Sequence, residues 1–279
     1  MTSPSLRPMS LGELLDRVFY LYRTQFLLFL GIIALPNLLV LAMQLASVTT
    51  QKRILSGEPG GALQIVWSFA TGLVALVVLA AWEGATTVAA SQVHLGRTIT
   101  VGGAYAAVRG RIVSLALILL ALGIGIGVGL VLLIIPGIIL GLMWSLTFPV
   151  AVLEDQGLRD SVERSSALTK GHRGRIFVIL VLLMVLTYLV YLLWQIPIFA
   201  AIGVFARGNP QNIPLWTLVA IPIGTFLSQC IVGPFLGIAL TLVYFDERVR
   251  KEALDIQLMM ASPDAAQAGS LPPAAGAQA

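Results

Sequence analysis

The chain has 279 residues, of which 58% are hydrophobic and only 11% charged, with a formal net charge of +4. A soluble domain carries about 25% charged side chains, so an ordinary water-soluble fold is excluded. Cys230 is the sole cysteine, and His94 and His172 are the only histidines. An intrachain disulfide and a thiolate zinc site are therefore ruled out, and no cofactor is expected.

Ser10 and Glu13 fit a capping box. The helix they open places Leu11, Leu14, Leu15, Val18 and Tyr22 on one face, with Glu13, Asp16, Arg17 and Arg23 on the other. Such a helix is expected to lie in the membrane interface, its apolar face toward acyl chains. An apolar span follows at residues 25–49, and a second at 63–90 holds one acid, Glu83. Thr100-Val-Gly then echoes Ser10-Leu-Gly, and Val101, Ala104, Tyr105 and Val108 line one face of a second amphipathic helix. Residues 112–153 carry no charge and exceed the roughly 20 residues that one crossing needs. The run splits at Ile135-Pro136-Gly137, where proline and glycine predict a tight hairpin turn. A third, more polar surface helix is expected over 158–169, stopped by Gly171. Two further spans, 176–205 and 214–245, complete six crossings.

Charge distribution tests that count, because cytoplasmic loops are enriched in Lys and Arg. With the N-terminus inside, the outer loops hold only Lys52, Arg53 and Arg207, and the remaining 14 of the 17 basic residues fall on the inner face. Treating residues 112–153 as one long crossing would put the Arg109 pair and the Arg159 to Arg175 cluster on opposite sides, and the asymmetry would collapse. The first span is not a signal peptide, since Glu13 and Asp16 lie where a signal carries a short basic region. The expected fold is all-α and polytopic, with three transmembrane hairpins and inner-surface amphipathic helices. Residues 1–261 form the membrane domain, and the low-complexity segment 262–279 reads as a disordered cytoplasmic tail.

Inside the spans, Glu83 stands out because an intramembrane acid is costly and usually faces a bundle interior or a wet cavity. It also lies within about two turns of the inner boundary, where its side chain can reach water or a basic loop. Gln195 and Gln229 are placed to hydrogen-bond between helices of the last hairpin. The run from Gly123 to Gly129 lacks the strand and the Lys-Ser/Thr ending of a phosphate loop, so its four-residue spacings predict close packing of the third and fourth crossings instead. Pro36, Pro149, Pro197, Pro222 and Pro234 are expected to kink or interrupt their spans. Trp67, Trp82, Trp144, Trp194 and Trp216 read as interfacial anchors.

Three stretches carry a resemblance: Met9-Ser-Leu-Gly-Glu-Leu-Leu-Asp-Arg-Val-Phe-Tyr-Leu-Tyr-Arg; Trp144-Ser-Leu-Thr-Phe-Pro-Val-Ala-Val-Leu-Glu154 with Ser165-Ser-Ala-Leu-Thr-Lys-Gly; and Tyr244-Phe-Asp-Glu-Arg-Val-Arg-Lys-Glu-Ala-Leu-Asp255. Together they resemble the bacterial membrane-domain family named after glycerophosphoryl diester phosphodiesterase. The resemblance implies a six-helix fold in a prokaryotic cytoplasmic membrane. It does not imply hydrolysis, because the name comes from a soluble hydrolase domain fused to some members. This sequence has no room for a catalytic barrel of about 250 residues.

The expected function is that of a non-enzymatic, lipid-contacting scaffold or accessory protein of the bacterial envelope. The contacts assigned to headgroups or to a protein partner at the cytoplasmic face are Arg17, Arg23, Arg109, Arg111, Arg173, Arg175, Arg248 and Arg250. No nucleic-acid role is expected, since these cations sit at the ends of apolar spans. The rival is a small transporter or lipid permease using a polar cavity near Glu83. Intramembrane hydrolysis lacks a paired nucleophile and base.

Overall fold

The computed structural model describes residues 8–55, 57, 61–205 and 213–253, which form helices and connecting turns with no strand among them. The expected tail and Arg7 and Arg207 lie outside the described residues. Six segments are long and apolar enough to cross a membrane: Phe26–Ala46, Ala62–His94, Val101–Leu132, Ile134–Leu153, Arg173–Phe205 and Leu215–Glu252. The protein is therefore a multi-pass, all-α integral membrane protein. Aliphatic side chains that point away from the bundle, such as Leu63 at 80% and Leu193 at 70% exposure, make physical sense only against lipid.

In chain order the helices are α1 (Leu11–Thr24), α2 (Phe26–Ala46), α3 (Val48–Leu55), α4 (Ala62–His94), α5 (Val101–Val108), α6 (Ile112–Leu132), α7 (Ile134–Trp144), α8 (Thr147–Leu153), α9 (Leu158–Thr169), α10 (Arg173–Phe205) and α11 (Leu215–Glu252). The capping box at Ser10 and Glu13 is formed, and Thr100 caps α5 by accepting from the Gly103 N–H. Gly171 adopts a positive φ of 91° just beyond α9. The short helix α3, carrying Lys52 and Arg53, occupies what reads in sequence as the first outer loop.

Helix α11 is the axis of the bundle. Within its apolar stretch 61% is buried in protein, against 17–39% for the other spans. Small residues let neighbours press on it. A methyl at Gly224 would meet Trp194 at 3.2 Å, and one at Gly233 would meet Ile33 at 2.9 Å. In hydrocarbon, where helices gain little from burying apolar surface alone, such backbone-close packing is the main source of association energy.

The turn between the third and fourth crossings falls two residues ahead of the expected Ile135-Pro136-Gly137. Leu133 alone is extended, at φ −154° and ψ 119°, and α7 begins at Ile134. Pro136 sits in the first turn of α7, where a helix can dispense with an N–H. Gly137 is needed for proximity: a Cβ there would lie 2.5 Å from the Leu130 nitrogen. Gly125 seats the Trp144 ring, and Gly129 faces Gly137, whereas Gly123 and Gly127 have open space.

Two further expectations need correction. The apolar face of α1 does not turn toward acyl chains, because Leu14, Val18 and Leu21 are fully buried in the protein core, and Tyr22 stacks on Phe235 of α11. Exposed Phe19, Tyr20 and Leu27 are left to meet the lipid. Among the tryptophans, Trp82 is buried beside Gly233 and Trp144 packs on Gly125, so neither is an interfacial anchor.

Candidate functional site

The polar chemistry of the described residues gathers in two places: the end of the bundle that holds Met9 and the last turns of α11, and the interior of the spans. At the first, α11 runs past its apolar stretch into Asp246, Glu247, Arg248, Arg250, Lys251 and Glu252. The last turns stay buried, with Asp246 at 1% and Glu247 at 0% exposure, so these acids need partners. Asp246 accepts from the Met9 N–H at 2.6 Å through one oxygen. Its other oxygen accepts from Arg175 of α10 and, at 2.9 Å, from Arg250. Both guanidinium groups also donate to the Met9 carbonyl. One carboxylate thereby fixes the entry to α1, the start of α10 and the end of α11 together.

Beside it, His172 Nδ1 lies 2.6 Å from Glu247 Oε2. Glu154, at the end of α8, accepts from Arg164 of α9 and from the Tyr244 hydroxyl, while Glu252 pairs with Arg164 and Arg248. The hydrogen bond it donates to Glu252 holds the Arg164 guanidinium above its ordinary range, so this cross-link keeps its charge. Lys251 donates to the Ala167 and Lys170 carbonyls at the end of α9. Arg111 reaches the Ala151 carbonyl and Asp155.

Of the cations assigned from sequence to headgroups or a partner, Arg111, Arg175, Arg248 and Arg250 are thus engaged inside the molecule. Arg23 and Arg109 are exposed, and Arg17 lies over the Tyr20 ring at 5.3 Å. Arg173 is half-buried, with an unpartnered Nε. Among the described residues none of these four has a carboxylate partner.

Within the spans, Glu83 and the two glutamines do not form one site. Glu83 faces α11 at Gly237, where an added methyl would meet its two carboxylate oxygens at 3.1 and 3.3 Å and Thr86 at 3.0 Å. Gln195 of α10 donates weakly to Thr225 at 3.5 Å, and Gln229 lies on α11. Two turns of α11 separate Gln229 from Gly237. Near Gln229 a small cavity, about 20 Å³ of space for a water centre, is lined by Asn37, Gln44, Thr225 and Gln229 with Val40 and Pro222. That is room for about one water molecule.

Sequence reasoning missed Asn37 and Gln44, although amides inside an apolar span are a visible signal. It also missed Ser165. The fourth crossing breaks between α7 and α8, where Pro149 cannot supply an N–H to the preceding turn. Ser165 Oγ fills the break, donating to the Met143 carbonyl at 2.7 Å and accepting from the Leu146 N–H at 3.1 Å. The buried side of α9 is correspondingly made of Ser161, Ser165, Leu168 and Thr169.

The family model for the membrane domain of glycerophosphoryl diester phosphodiesterase matches residues 117–266, more than half of the chain. The chain belongs to this family. No curated protein and no solved structure matches it. Two of the three familiar stretches fall inside the matched region, and each has a structural account in this membrane-domain fold. The Trp144 to Glu154 stretch forms the helix break, Ser165 plugs it, and the Tyr244 to Glu252 stretch builds the ionic clasp.

Proposed function

We propose that this membrane-domain protein is a non-enzymatic scaffold or accessory component of the bacterial cytoplasmic (inner) membrane. Both chain ends face the cytoplasm, and the basic face meets anionic lipid headgroups and a protein partner. The observation that carries this reading is the division of the cations on that face. Arg175, Arg248 and Arg250 neutralise the molecule's own buried carboxylates, while Arg23 and Arg109 stay exposed at the rim. Exposed cations at the end of a span are each worth about 1 kcal/mol against an anionic surface. Paired acids further in bring no opposing charge to that surface.

The transporter reading draws its support from the cavity at Gln229, but room for one water does not admit a solute, and α11 packs directly on Glu83. Two variants separate the readings. Purification in mild detergent with the retained lipids identified should show anionic lipids enriched on the wild type, less so on Arg23→Glu/Arg109→Glu, and unchanged on Glu83→Gln. An unaltered lipid profile in the double charge reversal would reject the scaffold reading. Loss of solute flux in reconstituted Glu83→Gln would establish the rival.

A further inference from the structure

We infer that Asn37, Gln44, Thr225 and Gln229 form a binding site for one uncharged hydroxyl group near the outer membrane surface, supplied by water or by a polyol lipid headgroup. The site stands apart from the basic inner face and its lipid contacts. Asn37 and Gln44 lie about two turns apart on α2, and Thr225 and Gln229 about one turn apart on α11, so all four line the cavity between these two spans. Asn37 is 6% exposed, and its amide nitrogen donates to the Ile33 carbonyl of its own helix at 2.9 Å. That bond leaves its carbonyl oxygen, which has no partner among the described residues, for the cavity. The Gln44 side chain has no partner among them either. Thr225 Oγ1 accepts the long bond from Gln195, which leaves its own O–H to donate. Amides set in a hydrocarbon layer are costly unless something pairs with them.

Size, charge and access select the ligand. About 20 Å³ of space for a water-sized centre admits a single oxygen, with the two to four polar partners that such a group requires. No ionised side chain lines the cavity, so an ion would be desolvated there without a counter-charge. A methylene of an acyl chain fits the volume but pairs with none of the amides. A hydroxyl meets both needs, donating to the Asn37 oxygen and accepting from an amide N–H of Gln44 or Gln229. Access is from the outer face. Gln44 is next to Met43, whose carbonyl accepts from the Trp67 indole at 3.3 Å, and α2 ends at Ala46 before the polar helix α3. An indole held there marks the interface, and Asn37 lies about 10 Å deeper along the helix axis.

The test uses the full chain, isotope-labelled at its Asn and Gln side chains, in phosphatidylcholine nanodiscs with and without monogalactosyl diacylglycerol. Magnetisation transfer from water to the side-chain amides, read by NMR, and thermal unfolding report the outcome. Phosphatidylcholine carries no hydroxyl, so in that lipid alone transfer from a bound water to the Gln44 and Gln229 amides is expected. It should be lost in Val40→Phe, which fills the cavity from an apolar wall and leaves every polar group in place. Thr225→Val keeps the side-chain shape and should weaken the transfer, so it remains informative if Val40→Phe fails to fold. Saturable stabilisation by the galactolipid, with the water signal displaced and the effect lost in Thr225→Val, would support the site and assign it to a lipid hydroxyl. Transfer unchanged from wild type in both variants would overturn the site, since the amides would then meet bulk water. Absence of both transfer and galactolipid stabilisation in the wild type would overturn it as well, and neither result bears on lipid contact by the basic face.

Discussion

The Tyr105 hydroxyl of α5 donates to the carbonyl oxygen of Ile32 in α2. That oxygen is the acceptor four residues before Pro36, which has no N–H to give it. A side chain from the second amphipathic segment thus repairs the backbone defect that a proline creates in the first crossing, in a setting where water cannot. Tyr105→Phe should cost about 1–3 kcal/mol of unfolding free energy in detergent, the penalty for a buried carbonyl left unpaired. Adding Pro36→Ala restores the helical N–H, so the double variant should recover most of the loss. Additive losses would show that the hydroxyl has another role.

Asp246 anchors three parts of the chain. Asp246→Asn keeps the shape but strands Arg175, whose side chain is 19% exposed, and should destabilise by about 3 kcal/mol. Protease cleavage ahead of α1 should accelerate in parallel. Glu252→Gln, at a more accessible acid, should cost about 1 kcal/mol or less. Equal effects of the two variants on unfolding would contradict the ranking.

Glycine spacing alone does not distinguish Gly137 from Gly123. Gly137→Ala drives a methyl to within 2.7 Å of Gly129 and Leu130 backbone atoms, which cannot yield as a side-chain tip can. It should cost about 3 kcal/mol or prevent folding. Gly123→Ala meets nothing within 4 Å and should be neutral or stabilise by about 0.5–1 kcal/mol. Thermal midpoints in one detergent compare the pair.

Ser165→Ala should uncover the Leu146 N–H and the Met143 carbonyl at the break in the fourth crossing, for about 1–3 kcal/mol. Ser166→Ala, whose hydroxyl bonds within its own helix to Val162, serves as the comparison and should lie within about 0.5 kcal/mol of wild type. Indistinguishable unfolding curves would mean that the break satisfies itself.

The six spans were legible because apolar blocks of membrane length bounded by cations have no other physical home, and the split of residues 112–153 followed from charge asymmetry. What covers an apolar face was not legible. Periodicity marks Leu14 and Val18 as one face of α1 but is the same whether lipid or α11 lies against it. The pairing of the closing acids with basic loops could be read from charge, but not that Asp246 meets Met9, 237 residues away. Tyr105 with Ile32 and Ser165 with Leu146 were hidden for a related reason. Each repairs a backbone group, and main-chain atoms leave no trace in composition.

The central claim is that an even number of crossings brings Met9 and Asp246 together on a cytoplasmic face. Its most direct test is paired topology fusions of fluorescent protein and alkaline phosphatase, placed at each chain end and after Gly57. Fluorescence at both ends, with phosphatase active only after Gly57, is the predicted pattern. Active phosphatase at either chain end would contradict it.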